Sequence, residues 1–167
     1  SLLCTRRIDS ITSMNIEYIQ RTRDYDRAQG FERDYRWANN NAIPFSRPQK
    51  PLGDARLAII TTAVVEPQIP KPTRSAKSYP LDEIPEHFDT SELSWDKTTT
   101  HTNDRESYFP IQALTSRVED GSLGSLAPRF HFVPTEYSQR HTLTQDAPLI
   151  ATHCLEDAVD LAILIPI

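Results

Sequence analysis

The chain has 167 residues, 38% hydrophobic and 25% charged, with a formal net charge of −5. That suits one globular domain with a core of useful size, and the mild acidity reads as solubility. Basic residues are scattered rather than striped and interleaved with aromatics, so no nucleic-acid partner is expected.

No apolar run is long enough to cross a bilayer as a helix. The opening Ser1-Leu2-Leu3-Cys4-Thr5-Arg6-Arg7 reverses the order of a signal peptide, so the expected location is the cytoplasm. The only Met is Met14, and the sequence from there reads like the start of a protein. Cys4 and Cys154 form no CxxC pair and no metal-ligand spacing. Neither a disulfide framework nor a metal site is expected, and Cys154 reads as a small core residue.

Residues 14–29 place Tyr18, Thr22 and Tyr25 at helical spacing on a charged background, which predicts a surface helix stopped by Gly30. The next stretch is extended, with Pro44, Pro48 and Pro51, and is expected to be anchored by Phe31, Tyr35, Trp37 and Phe45. Residues 1–53 thus read as a helix and a Pro-rich arm, and 54–167 as an α/β domain.

Arg56 to Ala63 is a short apolar run after turn residues, the pattern of a parallel strand covered on both faces. Residues 66–86 carry Pro67, Pro70, Pro72, Pro80 and Pro85, and no regular element is expected there. Pro110 opens a helix to about Asp120 with Gly121 just past its end, and Ile111, Leu114 and Val118 face the core. Residues 122–142 read as irregular. A further helix starts near Thr144 or Asp146. Its expected inner face is Ala147, Ile150, Ala151, Cys154, Leu155 and Ala158, with Thr152, His153, Glu156 and Asp157 in water.

Leu161 to Pro166 is a second apolar strand. Strand, helix and strand imply a parallel sheet with flanking helices. Two strands do not make a viable sheet, so an incomplete domain is expected.

Ligands of open α/β sheets bind beyond the carboxyl ends of the strands. Thr61 and Thr62 end the first strand there, although threonines are also good strand formers. In the loop from Trp95 to Asp104, His101 and Asp104 can orient one another or grip a substrate ion, or form a surface pair. In the loop from Gly121 to Arg140, Arg129 or Arg140 can clamp a carboxylate, beside His131, Glu136 and Tyr137. Ordinary ion pairing that ties the loop down is the alternative. His87, His141 and His153 have no constellation and read as solvated. No phosphate loop, nucleophile elbow or zinc helix motif is present.

Several stretches resemble the selenoprotein B family that serves the glycine, betaine, sarcosine and D-proline reductases. They are Tyr35-Arg36-Trp37-Ala38, Lys50-Pro51-Leu52 with the strand to Thr61-Thr62, and Trp95-Asp96-Lys97 with Thr100-His101-Thr102, Asp104 and Phe109-Pro110. The block Gly124-Ser125-Leu126-Ala127-Pro128-Arg129-Phe130, the block from Val133 to Arg140, and Asp160 with Leu164-Ile165-Pro166 complete the set. Where the family usually has a glycine pair, this chain has Ala63-Val64.

The resemblance implies a thiol- or selenol-dependent reductase subunit that cleaves a C–N bond in a small amino acid or N-methylated amine. The redox Cys or selenocysteine is then expected just after Ile167, and a UGA codon read as stop would end the chain there. The resemblance also implies a dithiol reductant, an oligomer, and a partner subunit that can carry a pyruvoyl group. Thr61, Thr62, His101, Asp104, Arg129, His131, Glu136, Tyr137 and Arg140 are the expected substrate-site rim, with no catalytic residue among them. The rivals are an Asp/Glu racemase-like isomerase or lyase and a non-catalytic binding subunit.

Overall fold

A computed structural model describes residues 17–34, 36, 38–39, 41–43, 46–65, 75–91, 98–135 and 138–167. The chain divides into two compact units, Ser1–Ile43 and Pro44–Ile167.

In the first unit, α1 (Tyr18–Ala28) buries none of its residues, as expected of a surface helix. Gly30 ends it with φ +90°, a conformation that glycine adopts without a Cβ clash. Arg27 reaches Asp34 through two bonds of 2.9 and 2.7 Å and ties the following segment back to the helix. Phe31, one of the expected anchors, is 65% exposed. Tyr35, Trp37 and Phe45 lie outside the described residues.

The second unit is α/β, with a mixed sheet rather than the parallel sheet expected. The strands are β1 (Arg56–Thr61), β2 (Lys77–Pro80), β3 (Ser125–Leu126), β4 (Arg129–Phe132) and β5 (Leu161–Ile165). β1 lies in the middle, parallel to β3 and β4 on one side and to β5 on the other. β2 is antiparallel to β4 and forms an edge. Lys77–Pro80 and residues 125–132 were expected to be irregular. Pro80 hid an edge strand at whose end proline is tolerated, and Pro128 interrupts β3 and β4. The sheet thus has five strands where the sequence showed two.

Gly124 makes the entry into β3 possible. A Cβ there would stand 2.7 Å from the carbonyl carbon of Asp54 and 2.8 Å from Ala55 N, so only glycine lets the two backbones pass. Asp160 joins the starts of β1 and β5. It accepts from Arg56 N at 2.9 Å and from Lys50 Nζ at 2.9 Å. The Arg56 amide, then Lys50, hold its carboxyl below the usual range.

Strand alternation divides the sheet into two faces. One carries Ile59, Phe130, Tyr79, Ile163 and Ile165, packed with Phe88, Tyr108 and Phe109 and with Ile111 and Leu114 of α2 (Ile111–Glu119). Phe109 stacks edge-on against Phe130 at 5.2 Å. This is the main core, and α2 presents Ile111 and Leu114 to it as its spacing predicted.

The opposite face carries Ser78, His131, Ile60 and Leu164, the last three aligned by strand register. A helical stretch packs here, formed by α3 (Gln139–His141), a π-helical turn (Thr142–Asp146) and α4 (Ala147–Glu156). It begins earlier than expected, because Ser138 Oγ accepts from His141 N at 3.2 Å and caps it. The π turn fits Pro148, which has no N–H to give the carbonyl four residues back. Asp146 is no cap but a buried tether, with Oδ1 accepting from Ala76 N at 2.8 Å.

The expected inner face of α4 holds for Ile150 and Cys154 and is corrected for the rest. Ala147, Ala151 and Ala158 are exposed and Leu155 is 80% exposed, while Ile150, His153, Cys154 and Asp157 turn toward the sheet. Rows of apolar and polar residues both fit helical spacing. The polar partners waiting on β2 and β4 decide which row turns inward.

Candidate functional site

Two places in the second unit gather chemically useful side chains. The first lies at the carboxyl ends of β1 and β5. Thr61 is fully buried, and its Oγ1 accepts from Ala63 N at 3.0 Å. Thr62 Oγ1 accepts from Ile167 N at 2.8 Å and donates to Ile167 O at 3.3 Å, clasping the end of β5 to the end of β1. Both hydroxyls expected on the rim therefore serve the fold.

Beside that clasp is an open surface pocket of about 300 Å3, lined by Thr100, His101, Thr102, Ser107, Tyr108 and Ile167. Asp104 caps the 3-10 turn Arg105–Ser107, accepting from Glu106 N at 3.1 Å. His101 Nδ1 accepts from Asn103 N at 3.4 Å. The two thus find local partners and do not orient one another. Tyr108 is buried. Burial pushes its phenol up, partly offset by the Phe88 backbone and Arg105, so it stays a neutral hydroxyl. Thr90 Oγ1 meets Thr102 Oγ1 at 2.6 Å and steadies this wall.

The second place is the polar seam between α4 and the sheet. Arg129 meets Asp157 through two bonds of 2.7 Å and Glu156 through one of 2.9 Å, and reaches His153 O at 3.3 Å. Its charge is committed, which corrects the expected carboxylate clamp to ordinary pairing. The Arg129 guanidinium in turn holds the Asp157 carboxyl below its ordinary range.

His131 was expected on a substrate rim but is fully buried on the α4 side of β4. Its Nδ1 stands 2.8 Å from Ser78 Oγ, which stands 2.6 Å from His153 Nδ1. Its Nε2 stands 3.6 Å from Cys154 Sγ. His153, expected to be solvated, is therefore part of this cluster.

Of the expected rim, the cavity gathers His101 and the main chain that Thr62 clasps. Arg129 and His131 belong to the seam. Arg140 is exposed on α3, where its carbonyl accepts from Thr144 Oγ1. Glu136 and Tyr137 lie outside the described residues. Sequence reasoning missed Ser107, Tyr108, Ser78, the partnership of His153 with Ser78 and that of His131 with Cys154. An alternating Arg129-Phe130-His131-Phe132 was the available signal that His131 faces away from the aromatic core.

Among the described residues, no three His, Cys, Asp or Glu side chains are grouped to hold a metal ion. Among the same residues, no helix is long and apolar enough to cross a membrane. The chain matches no family model, no curated protein and no solved structure.

Proposed function

We propose that this chain supplies the substrate pocket of a thiol- or selenol-dependent reductase subunit of the glycine/betaine/sarcosine/D-proline reductase type. The observation that carries the reading is the open pocket of about 300 Å3 beyond the carboxyl ends of parallel β1 and β5. Open α/β sheets bind ligands there, and the volume suits a small amino acid or N-methylated amine. The resemblance of the flanking sequence to the selenoprotein B family adds the chemistry.

In this reading His101 and Tyr108 hold the substrate carboxylate, and Thr100 and Thr102 orient the rest. The Thr62–Ile167 clasp fixes the main chain at the floor. The reaction replaces one C–N bond by a C–H and an N–H bond, while a dithiol is oxidised to a disulfide. The chalcogen that attacks is the Cys or selenocysteine expected beyond Ile167. A pyruvoyl group on a partner subunit supplies amine activation when it is present. Dithiols persist in reducing compartments, so the reading implies a cytoplasmic protein.

The test is dithiol oxidation by the subunit as its gene encodes it, with its partner, offered glycine, sarcosine, betaine or D-proline. We expect one of them to drive oxidation. Tyr108→Phe and His101→Ala should each raise KM about 10-fold with a smaller change in kcat, as loss of ground-state hydrogen bonds does. Exchange of the substrate α-proton in heavy water without dithiol consumption would overturn the reading in favour of an isomerase. A stable complex without turnover would leave a binding subunit.

A further inference from the structure

The seam under α4 holds a hydrogen-bonded chain that ends in a thiol. Ser78 comes from β2, His131 from β4, and His153 and Cys154 from α4, so the tertiary fold alone brings them together. The spacings are 2.6 Å from His153 Nδ1 to Ser78 Oγ, 2.8 Å on to His131 Nδ1, and 3.6 Å from His131 Nε2 to Cys154 Sγ.

A serine hydroxyl has one proton to give and lone pairs to accept with. Between two neutral imidazoles it donates to one Nδ1 and accepts an N–H from the other. Two proton arrangements follow. In one, His131 carries its proton on Nε2, directed at sulfur. In the other, His131 Nδ1–H donates to Ser78 and Ser78 donates to His153, leaving His131 Nε2 bare beside the S–H. That second arrangement is a thiol with an oriented general base.

We infer that Cys154 is a reactive thiol, served by His131, Ser78 and His153 as a proton path, that exchanges with small disulfides to form a mixed disulfide. The sulfur attacks one sulfur of the disulfide as its proton passes to His131 Nε2. A new S–S bond forms, the old one breaks, and the leaving thiolate ends as a thiol. The net change is Cys154–SH plus RSSR giving Cys154–SSR plus RSH, which balances without another reactant.

The path also moves charge outward. As Nε2 gains a proton, His131 passes its Nδ1 proton to Ser78, and Ser78 passes its own to His153. The positive charge leaves a fully buried ring for a half-buried one on the same helix as Asp157 and Glu156. Arg129, which also faces the seam, is neutralised by those same carboxylates, and the buried Asp146 farther along the inward row stands 3.6 Å from His141. At rest, burial pushes the Cys154 thiol up, and burial, then His153 and Arg129, push the His131 imidazole down. The resting pair is thus a neutral thiol and a free base. This inference does not depend on the reductase reading, and its test uses no amine substrate.

The experiment is the reaction of the full chain, in a Cys4→Ser background, with a chromogenic aryl disulfide across pH, with the adduct located by mass spectrometry. We expect a mixed disulfide on Cys154 and a rate that bends at an imidazole ionisation near or below neutrality. His131→Gln should slow it about 10-fold or more, and Ser78→Ala and His153→Gln severalfold. Each variant should also move the bend toward the range of an ordinary thiol, about pH 8.5. If His131→Gln loses its circular dichroism signal, His153→Gln decides, because its ring is only half-buried. Absence of an adduct overturns the inference. So does an ordinary thiol profile left unchanged by His153→Gln.

Discussion

Asp157 illustrates how a polar residue on a helix becomes structural once its partner is known. Its side chain is 10% exposed and pairs with Arg129, which is 28% exposed, so solvent screens the pair only in part. Arg129 lowers the folded-state pKa of Asp157, so the stabilisation is fully present above the unfolded value of about 4. It is lost as pH falls through the folded value. Asp157→Asn should cost about 1 kcal/mol at pH 7, and the difference from the parent chain should be smaller at pH 3, below the unfolded value. Urea titrations at the two pH values measure this. A cost that persists unchanged at pH 3 would assign the effect to packing. At the same scale, Arg129, His131 and His153 were all visible as polar residues in the sequence. Their roles were not, because their partners lie more than twenty residues away.

The helix α4 shows the limit of periodicity. Its existence was legible from the candidate caps Thr144 and Asp146 and from the apolar spacing, but its rotation was not. Asp146, Ile150, His153 and Asp157 form one inward row, and a row of Ala and Leu faces out. Ala76, Ser78 and Arg129 offset part of the cost of burying that polar row, while Asp146 Oδ2 has no hydrogen-bond partner and only His141 at 3.6 Å. Ile150 is the apolar residue of the row and is 6% exposed, whereas Leu155 is 80% exposed. Ile150→Ala should therefore destabilise by about 2–4 kcal/mol, and Leu155→Glu by less than about 0.5 kcal/mol. Equal effects in thermal unfolding would mean that α4 docks the other way round. β2 escaped notice for a different reason. A short edge strand with Pro80 at its end reads as a loop in one dimension.

Across the whole molecule, the second unit has covered and uncovered parts. α4 lies over β2 and β4, while β5 has β1 as its only strand partner among the described residues. Leu164, on the same face as α4, is 62% exposed. An uncharged edge strand beside exposed apolar surface favours self-association. Leu164→Lys should therefore raise the concentration at which the chain associates, with little change in its unfolding midpoint. Sedimentation velocity over a concentration series reads this, and an unchanged series would show that β5 is not the sticky edge.

The sequence by itself determined the two apolar strands β1 and β5, the helices α1 and α2, and a polar loop around His101. These rest on local signals such as apolar runs, turn residues, and Pro and Gly at helix ends. The tertiary structure decided the mixed sheet, the rotation of α4, and the meeting of Ser78, His131, His153 and Cys154. Those depend on which strands pair and which distant groups satisfy one another's hydrogen bonds, and no local spacing along the chain records that choice.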